Sequence, residues 1–168
     1  MNKKRRYSQQ QSRFGMSRRR IITYAVIATV ISIVGYFGYS SMVPVNGTVP
    51  VLGAPSNHFI KASHSSNTGY YWLSLSSAKV KGLRTSGGNI INPTYTFNKG
   101  GLETFHIINE DFETKSDHNF NIDEFNVHTR NLGPSESQTI TFLADKTGTF
   151  EYYCTIHQGM NGTITIAE

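Results

Sequence analysis

Hydrophobic and polar positions change their rhythm twice along this chain. From Ile21 to Tyr39 runs "IITYAVIATVISIVGYFGY", nineteen residues without a charge, and no charge occurs between Arg20 and Lys61. The stretch is apolar all round rather than on one face, which predicts a helix that hides every side from water. At 1.5 Å per residue it would extend about 28 Å, close to the ~30 Å hydrocarbon core of a bilayer. One membrane span over residues 21–39 is therefore expected. Residues 40–66 are rich in Ser, Gly, Pro and Asn with no sustained apolar period, the pattern of a flexible tether. His58 and His64 fall within it and are read as tether residues.

Beyond residue 66 the rhythm becomes that of short strands. "TGYYWLSLSSAKV", "NPTYTFNKGGLETFHIINED", "HNFNIDEF", "ESQTITFLAD", "GTFEYYC" and "GTITIAE" are β-branched and aromatic runs bounded by Gly, Pro, Asn and Asp. Phe105, Ile107 and Asn109 alternate with Thr104, His106 and Ile108, and Ile140 and Phe142 alternate with Thr139 and Thr141. His106 then lies on the solvent side of its strand. The pattern predicts an all-β fold, a Greek-key β-sandwich or barrel over residues 67–168, preceded by one N-terminal transmembrane helix. Phe150, Tyr152 and Cys154 share a face, as do Ile164 and Ile166, which leaves Thr155 to Asn161 as a tight loop between two adjacent strands.

Charge changes the picture in one respect. Of the sixteen Lys and Arg, eight lie in residues 1–20 with no acid among them; the other eight face eleven Asp and Glu, a net −3 for the remainder. The overall pI of 9.4 thus describes a basic tail. The rest has no surplus of positive charge for a phosphate backbone, so nucleic acid is not an expected partner. Positive charge before the span and none soon after it predicts a cytoplasmic N-terminus and an extracytoplasmic domain. "SRRRII" (Ser17 to Ile22) also fits a twin-arginine export signal. The long apolar run and the lack of a small-x-small cleavage pattern favour a retained anchor.

The candidate chemistry is concentrated in "FEYYCTIHQGMNGTITI". The chain has one cysteine, Cys154, followed by His157 and Met160 at intervals of three. A lone cysteine in an exported chain forms no internal disulfide. It is a small buried hydrophobe, a catalytic thiol, or a metal ligand, and Cys-x-x-His on one loop is an unusual source of a catalytic pair. As a metal site, thiolate, thioether and imidazole together suit copper: two His and one Cys in a plane with a weak axial Met make an electron-transfer centre. A closed structural zinc site would prefer more cysteine and rarely takes a thioether. The set lacks one histidine, for which His106, His118 and His128 are available.

"YYCTIHQGMNGTI" together with "DHNFNID" resembles the cupredoxin family, the blue copper proteins such as plastocyanin and amicyanin, with a short Cys-x2-His-x2-Met loop. The resemblance runs from about Asn92 to the C-terminus and more weakly back to about Tyr70. It implies one mononuclear copper ion held by His118, Cys154, His157 and Met160, with His128 the rival for the first position. It implies that Asn119 hydrogen-bonds across the two ligand-bearing loops. It also implies an electron carrier rather than an enzyme, exchanging electrons with redox protein partners through a surface at His157, Gln158 and Gly159, where the imidazole edge emerges among small and apolar residues. No small-molecule substrate is expected, and a single thiolate excludes a binuclear copper centre. A copper delivery or storage protein would use the same ligands, and an adhesion-type β-sandwich would use Cys154 only as core.

Overall fold

A computed structural model of the chain describes residues 17–45, 50–75, 80–84 and 89–168, with residues 80–84 as backbone. Most of the basic tail, residues 1–16, lies outside the described residues. Two units separate, residues 1–40 and 41–168.

The first unit contains one helix, α1 (Arg18–Ser40), with no buried residue. Its 23 residues have a mean hydropathy of 2.0 in the most apolar window, long and apolar enough to cross a membrane. Three of its hydroxyls return to their own backbone: Thr23, Thr29 and Ser32 donate to the carbonyls of Arg19, Ala25 and Ala28 at 3.0, 2.9 and 2.8 Å. These i−4 bonds satisfy the polar side chains without water, as an apolar surrounding requires.

The second unit is built of strands: β1 (Met42–Val43), β2 (Val51–Leu52), β3 (Ser56–Ser65), β4 (Gly69–Ser74), β5 (Val80–Arg84), β6 (Ile90–Asn98), β7 (Leu102–Asn109), β8 (Asn121–Ile122), β9 (Val127–His128), β10 (Ser137–Leu143), β11 (Gly148–Tyr153) and β12 (Asn161–Ala167). The short pair β1 and β2 stands by itself, and the other ten form one sheet. Its order is β10, β7, β3, β4, β6, β12, β11, β8, β9, with β5 also on β6. Two ladders are parallel, β3 with β7 and β6 with β12, and the rest are antiparallel. Parallel neighbours demand crossover connections, and the strands enclose one hydrophobic core.

That core is strongly aromatic. Trp72, Tyr95, Phe105, Phe120, Phe142 and Tyr152 are all fully buried or nearly so. Phe120 touches three of them, with ring centroids 5.3 Å from Trp72, 5.1 Å from Phe105 and 5.2 Å from Tyr152. Such offset and edge-on ring pairs add directional attraction to the area they remove from water. Alternation directs these residues inward: Phe105, Ile107 and Asn109 are buried, whereas His106 and Ile108 on the other face are partly exposed.

Two features differ from the pattern-based expectation. Residues 56–65, expected to be tether, form a ten-residue strand between β4 and β7. Only Ile60 and Ala62 are fully buried there, so the sequence carries little apolar alternation, and the register comes from the partner strands. His58 and His64 are correspondingly not tether residues. His58 packs beside Tyr95, Phe97 and Phe105 and shares a 2.6 Å hydrogen bond with Glu103 Oε2. The second difference is "HNFNIDEF", which is not one strand. It contains β8 and then a 3-10 turn, η1 (Asp123–Phe125), closed by Asn126 at φ 50°. Asn tolerates this left-handed conformation better than most residues.

Candidate metal centre

Two loops bring the candidate ligands together. The first follows β7 and crosses from Asn109 to Asn119. Its His118 exchanges backbone hydrogen bonds with Leu132 at 3.0 and 2.7 Å, an isolated bridge that fixes the position of the ring. The second is the turn between β11 and β12. Cys154 donates its N–H to the Met160 carbonyl at 3.0 Å, and Met160 donates to the His157 carbonyl at 3.3 Å, so the seven residues close tightly. Gly159 sits within it at φ 79°, a conformation that costs glycine little.

The closed turn is then pinned from outside. Trp72 Nε1 donates to the Met160 carbonyl at 3.2 Å and Asn92 Nδ2 to the Gly159 carbonyl at 3.4 Å, while Asn92 Oδ1 accepts from the Trp72 N–H at 2.9 Å. At the base, Tyr152 lies directly across from Gly162 and donates to the Pro93 carbonyl at 2.6 Å. A Cβ at Gly162 would overlap the Tyr152 ring. Glycine is required for this close approach.

One ligand atom each from His118, Cys154 and His157 lies within 4.8 Å of the other two. Cys154 Sγ is 3.9 Å from His157 Nδ1, and the two imidazole centroids are 4.6 Å apart. His118 is fully buried, Cys154 is 5 % exposed and Met160 1 %. Among the described residues, His118 Nδ1 is a buried nitrogen with no hydrogen-bond partner. Its other nitrogen, Nε2, lies 3.4 Å from Asp111 Oδ2, both side chains being out of contact with water. An unsatisfied buried nitrogen is costly, and a metal ion held by His118, Cys154 and His157 would remove that cost.

Burial, more than any nearby charge, holds the His118 imidazole below its ordinary pKa, with the charge of His157 adding to the shift and Asp111 opposing it. Burial likewise lowers His157, against the pull of Asp111. Neutral imidazoles are what a metal binds. Burial pushes the Asp111 carboxyl upward, but hydrogen bonds from the Thr114 hydroxyl and N–H, from His118 and from the Ser116 N–H outweigh it and leave the pKa lowered.

Asn119 joins the two loops. Its Oδ1 accepts the Thr155 N–H at 2.8 Å, and its Nδ2 donates to Thr155 Oγ1 at 2.7 Å and Asn131 Oδ1 at 2.9 Å. His128 stands apart: its side chain is 48 % exposed and its Nδ1 meets Asn121 Oδ1 at 3.1 Å. His106 bonds Thr139 and Asn57 at 3.0 and 2.9 Å and stacks on Phe59. Neither joins the three-residue cluster. Gln158 and Gly159 are exposed.

Two neighbours of the site went unread in the sequence. Tyr70 stacks on His157 with centroids 3.7 Å apart and lies 5.6 Å from the His118 ring. The half-buried His157 is thus covered on one face by an aromatic ring. Asp111 is the other. A signal for it existed in "DFETKS", since an Asp with a Thr three residues on forms a local side-chain turn, but nothing local tied that turn to His118.

A buried cysteine and two imidazoles converging at adjacent loops of a β-domain form a donor set suited to a soft metal ion. Residues 91–166 match the family described as "Cupredoxin-like domain". Copper is the metal of that family, and the donors here fit it. Among solved structures, the chain is similar to auracyanin from Roseiflexus castenholzii, at 22 % identity and a TM-score of 0.45 over 69 % of this chain and 100 % of that one. It is similar to rusticyanin from Thiobacillus ferrooxidans at 16 % identity and 0.47, over 82 % and 94 %. The copper nitrite reductase of Nitrosomonas europaea is similar at 22 % and 0.45, over 67 % of this chain and 41 % of the reductase, so the match spans about two fifths of that enzyme. No curated protein matches the chain by sequence.

Proposed function

We propose that this protein is a membrane-anchored blue-copper electron carrier, with His118, Cys154, His157 and Met160 as the ligands of one copper ion. The observation that carries the reading is the buried, unpartnered Nδ1 of His118 beside Cys154 and His157. Bound there, copper supplies a one-electron couple between Cu(II) and Cu(I). The chain's part is to hold the donors in place. Cys154 would contribute the thiolate, His118 and His157 the neutral imidazoles, and Met160 a buried thioether that would tune the potential of the site. The loop hydrogen bonds from Trp72, Asn92 and Asn119 restrain the donors, so that little rearranges when the charge of the site changes.

Electrons enter or leave at the half-buried His157, with exposed Gln158 and Gly159 forming the surface on which a redox protein docks. The helix anchors the protein, and the basic residues preceding it favour the domain on the extracytoplasmic side. Slow surrender of copper to a chelator separates this carrier from a delivery or storage protein. The deciding experiment loads the full chain, in detergent, with one equivalent of copper(II) and records its visible and EPR spectra beside Cys154→Ser. An intense thiolate-to-copper band with narrow copper hyperfine splitting, lost in the variant, is the expected result. A pale protein with an ordinary tetragonal signal would reject the assignment.

A further inference from the structure

Asp111 is a buried carboxylate in contact with a candidate ligand, and the ligand set alone does not account for it. It is 1 % exposed, and its side chain is wholly out of reach of water. Four donors converge on it. The Thr114 N–H reaches Oδ1 at 3.0 Å; the Thr114 hydroxyl, the Ser116 N–H at 3.4 Å and His118 Nε2 at 3.4 Å reach Oδ2. Among the described residues, no Lys or Arg forms an ion pair with it. A carboxylate taken out of water is costly unless its lone pairs are met. Here neutral donors meet them, so the negative charge is stabilised without being cancelled.

The same loop explains why the charge is held so firmly. Asn109 ends β7 fully buried and accepts the Asp111 N–H at 2.9 Å, while its Nδ2 donates to the carbonyls of Ser116 and Leu132 at 2.8 Å each. Leu132 is the residue bridged to His118. Asp111, Ser116 and His118 are therefore tied to one frame, and the carboxylate cannot turn away from the imidazole without breaking several buried bonds.

We propose that Asp111 is the positioning residue of the copper ligand His118: it holds the imidazole with the proton on Nε2 and the lone pair on Nδ1, and its fixed negative charge keeps the reduction potential of the site low. The proposal rests on the copper reading above. Reduction adds one electron, from a one-electron donor, and moves no proton, since the Nε2–H stays on His118 in both states. A fixed negative charge nearby favours the more positive oxidised state. The carboxylate acts through His118 rather than by touching the metal.

The test uses the full chain in detergent. In the metal-free protein, long-range 1H–15N NMR is expected to show His118 protonated on Nε2 only; a proton on Nδ1 overturns the positioning role. With copper, Asp111→Asn is expected to shift the ratio of Cu(I) to Cu(II) affinity at least tenfold toward Cu(I), a rise of about 59 mV for a one-electron couple. Thr114→Val keeps the charge but removes the hydroxyl that competes for Oδ2, so its potential is expected to fall. Should Asp111→Asn not fold, Thr114→Val decides: a fall supports the proposal, and no change or a rise overturns it. A native protein without the thiolate-to-copper band defeats the proposed function; a native band with potentials equal in folded variants defeats this inference alone.

Discussion

Asn119 is bonded to Thr155 twice, accepting its backbone N–H at 2.8 Å and donating to its hydroxyl at 2.7 Å. Asn119 follows His118 and Thr155 follows Cys154, so each bond joins the residue after one candidate ligand to the residue after another. The same Oδ1 accepts from Asn121 Nδ2 at 2.8 Å, which anchors the pair to β8. Protein hydrogen bonds therefore tie the two loops directly to each other.

Removing that link should loosen both loops. Asn119→Ala leaves the Thr155 N–H without its acceptor and the Asn121 amide with only the Tyr153 carbonyl, at a cost of about 1–3 kcal/mol where the group stays buried. Urea unfolding of the metal-free protein is expected to show a loss in the lower half of that range, because Thr155 is exposed enough for water to substitute in part. The copper-loaded variant should also show broadened EPR features. A variant as stable as the native chain would mean that the loops are held elsewhere.

Tyr70 covers His157 face to face, and its hydroxyl meets Ser116 Oγ at 3.3 Å. Aromatic pairs contribute about 0.5–1.5 kcal/mol beyond area burial, so Tyr70→Leu is expected to speed copper release to a chelator by roughly two- to tenfold. Tyr70→Phe keeps the stack and should behave like the native protein. Equal release rates in all three proteins would show that the ring does not retain His157.

The metal-free protein should weaken as acid is added, in a defined window. His118 and His157 have folded pKa values below the ordinary 6.5. Below 6.5 the unfolded chain therefore binds protons that the folded chain does not, and stability falls with pH until the folded values are passed. Above that window these two groups contribute no slope. Asp111, lowered from 3.8, adds a second loss only below that value. Melting temperatures of the metal-free protein at pH 7.5 and 5.0, beside His118→Gln, check this: the drop should be smaller in the variant. Identical drops would remove His118 from the explanation.

Much of the site was legible in the sequence because it is written locally. The three-residue spacing of Cys154, His157 and Met160 lies on one turn, and a period of two places Cys154 on the same inward face as Tyr152. The apolar run was equally plain, since a helix of this kind is a matter of composition and length; α1 extends a few residues beyond the expected 21–39. Strands with a strong alternation, β7 and β10 above all, needed no partner to be seen.

What the chain could not show by itself depends on neighbours distant in sequence. β3 has the composition of a tether, yet it is a strand because β4 and β7 supply its hydrogen bonds on both sides and Glu103 satisfies His58. Tyr70 reaches His157 only because β4 is held against β6 beside β12. The contact of Asp111 with His118 follows from the way Asn109 and Leu132 gather the intervening loop. Sequence determined which donors exist and which face of each strand they occupy, since periodicity and ligand chemistry are local properties. Tertiary structure decided which aromatic ring covers the site and which carboxylate charges it, because those contacts form only when strands far apart in the chain become neighbours.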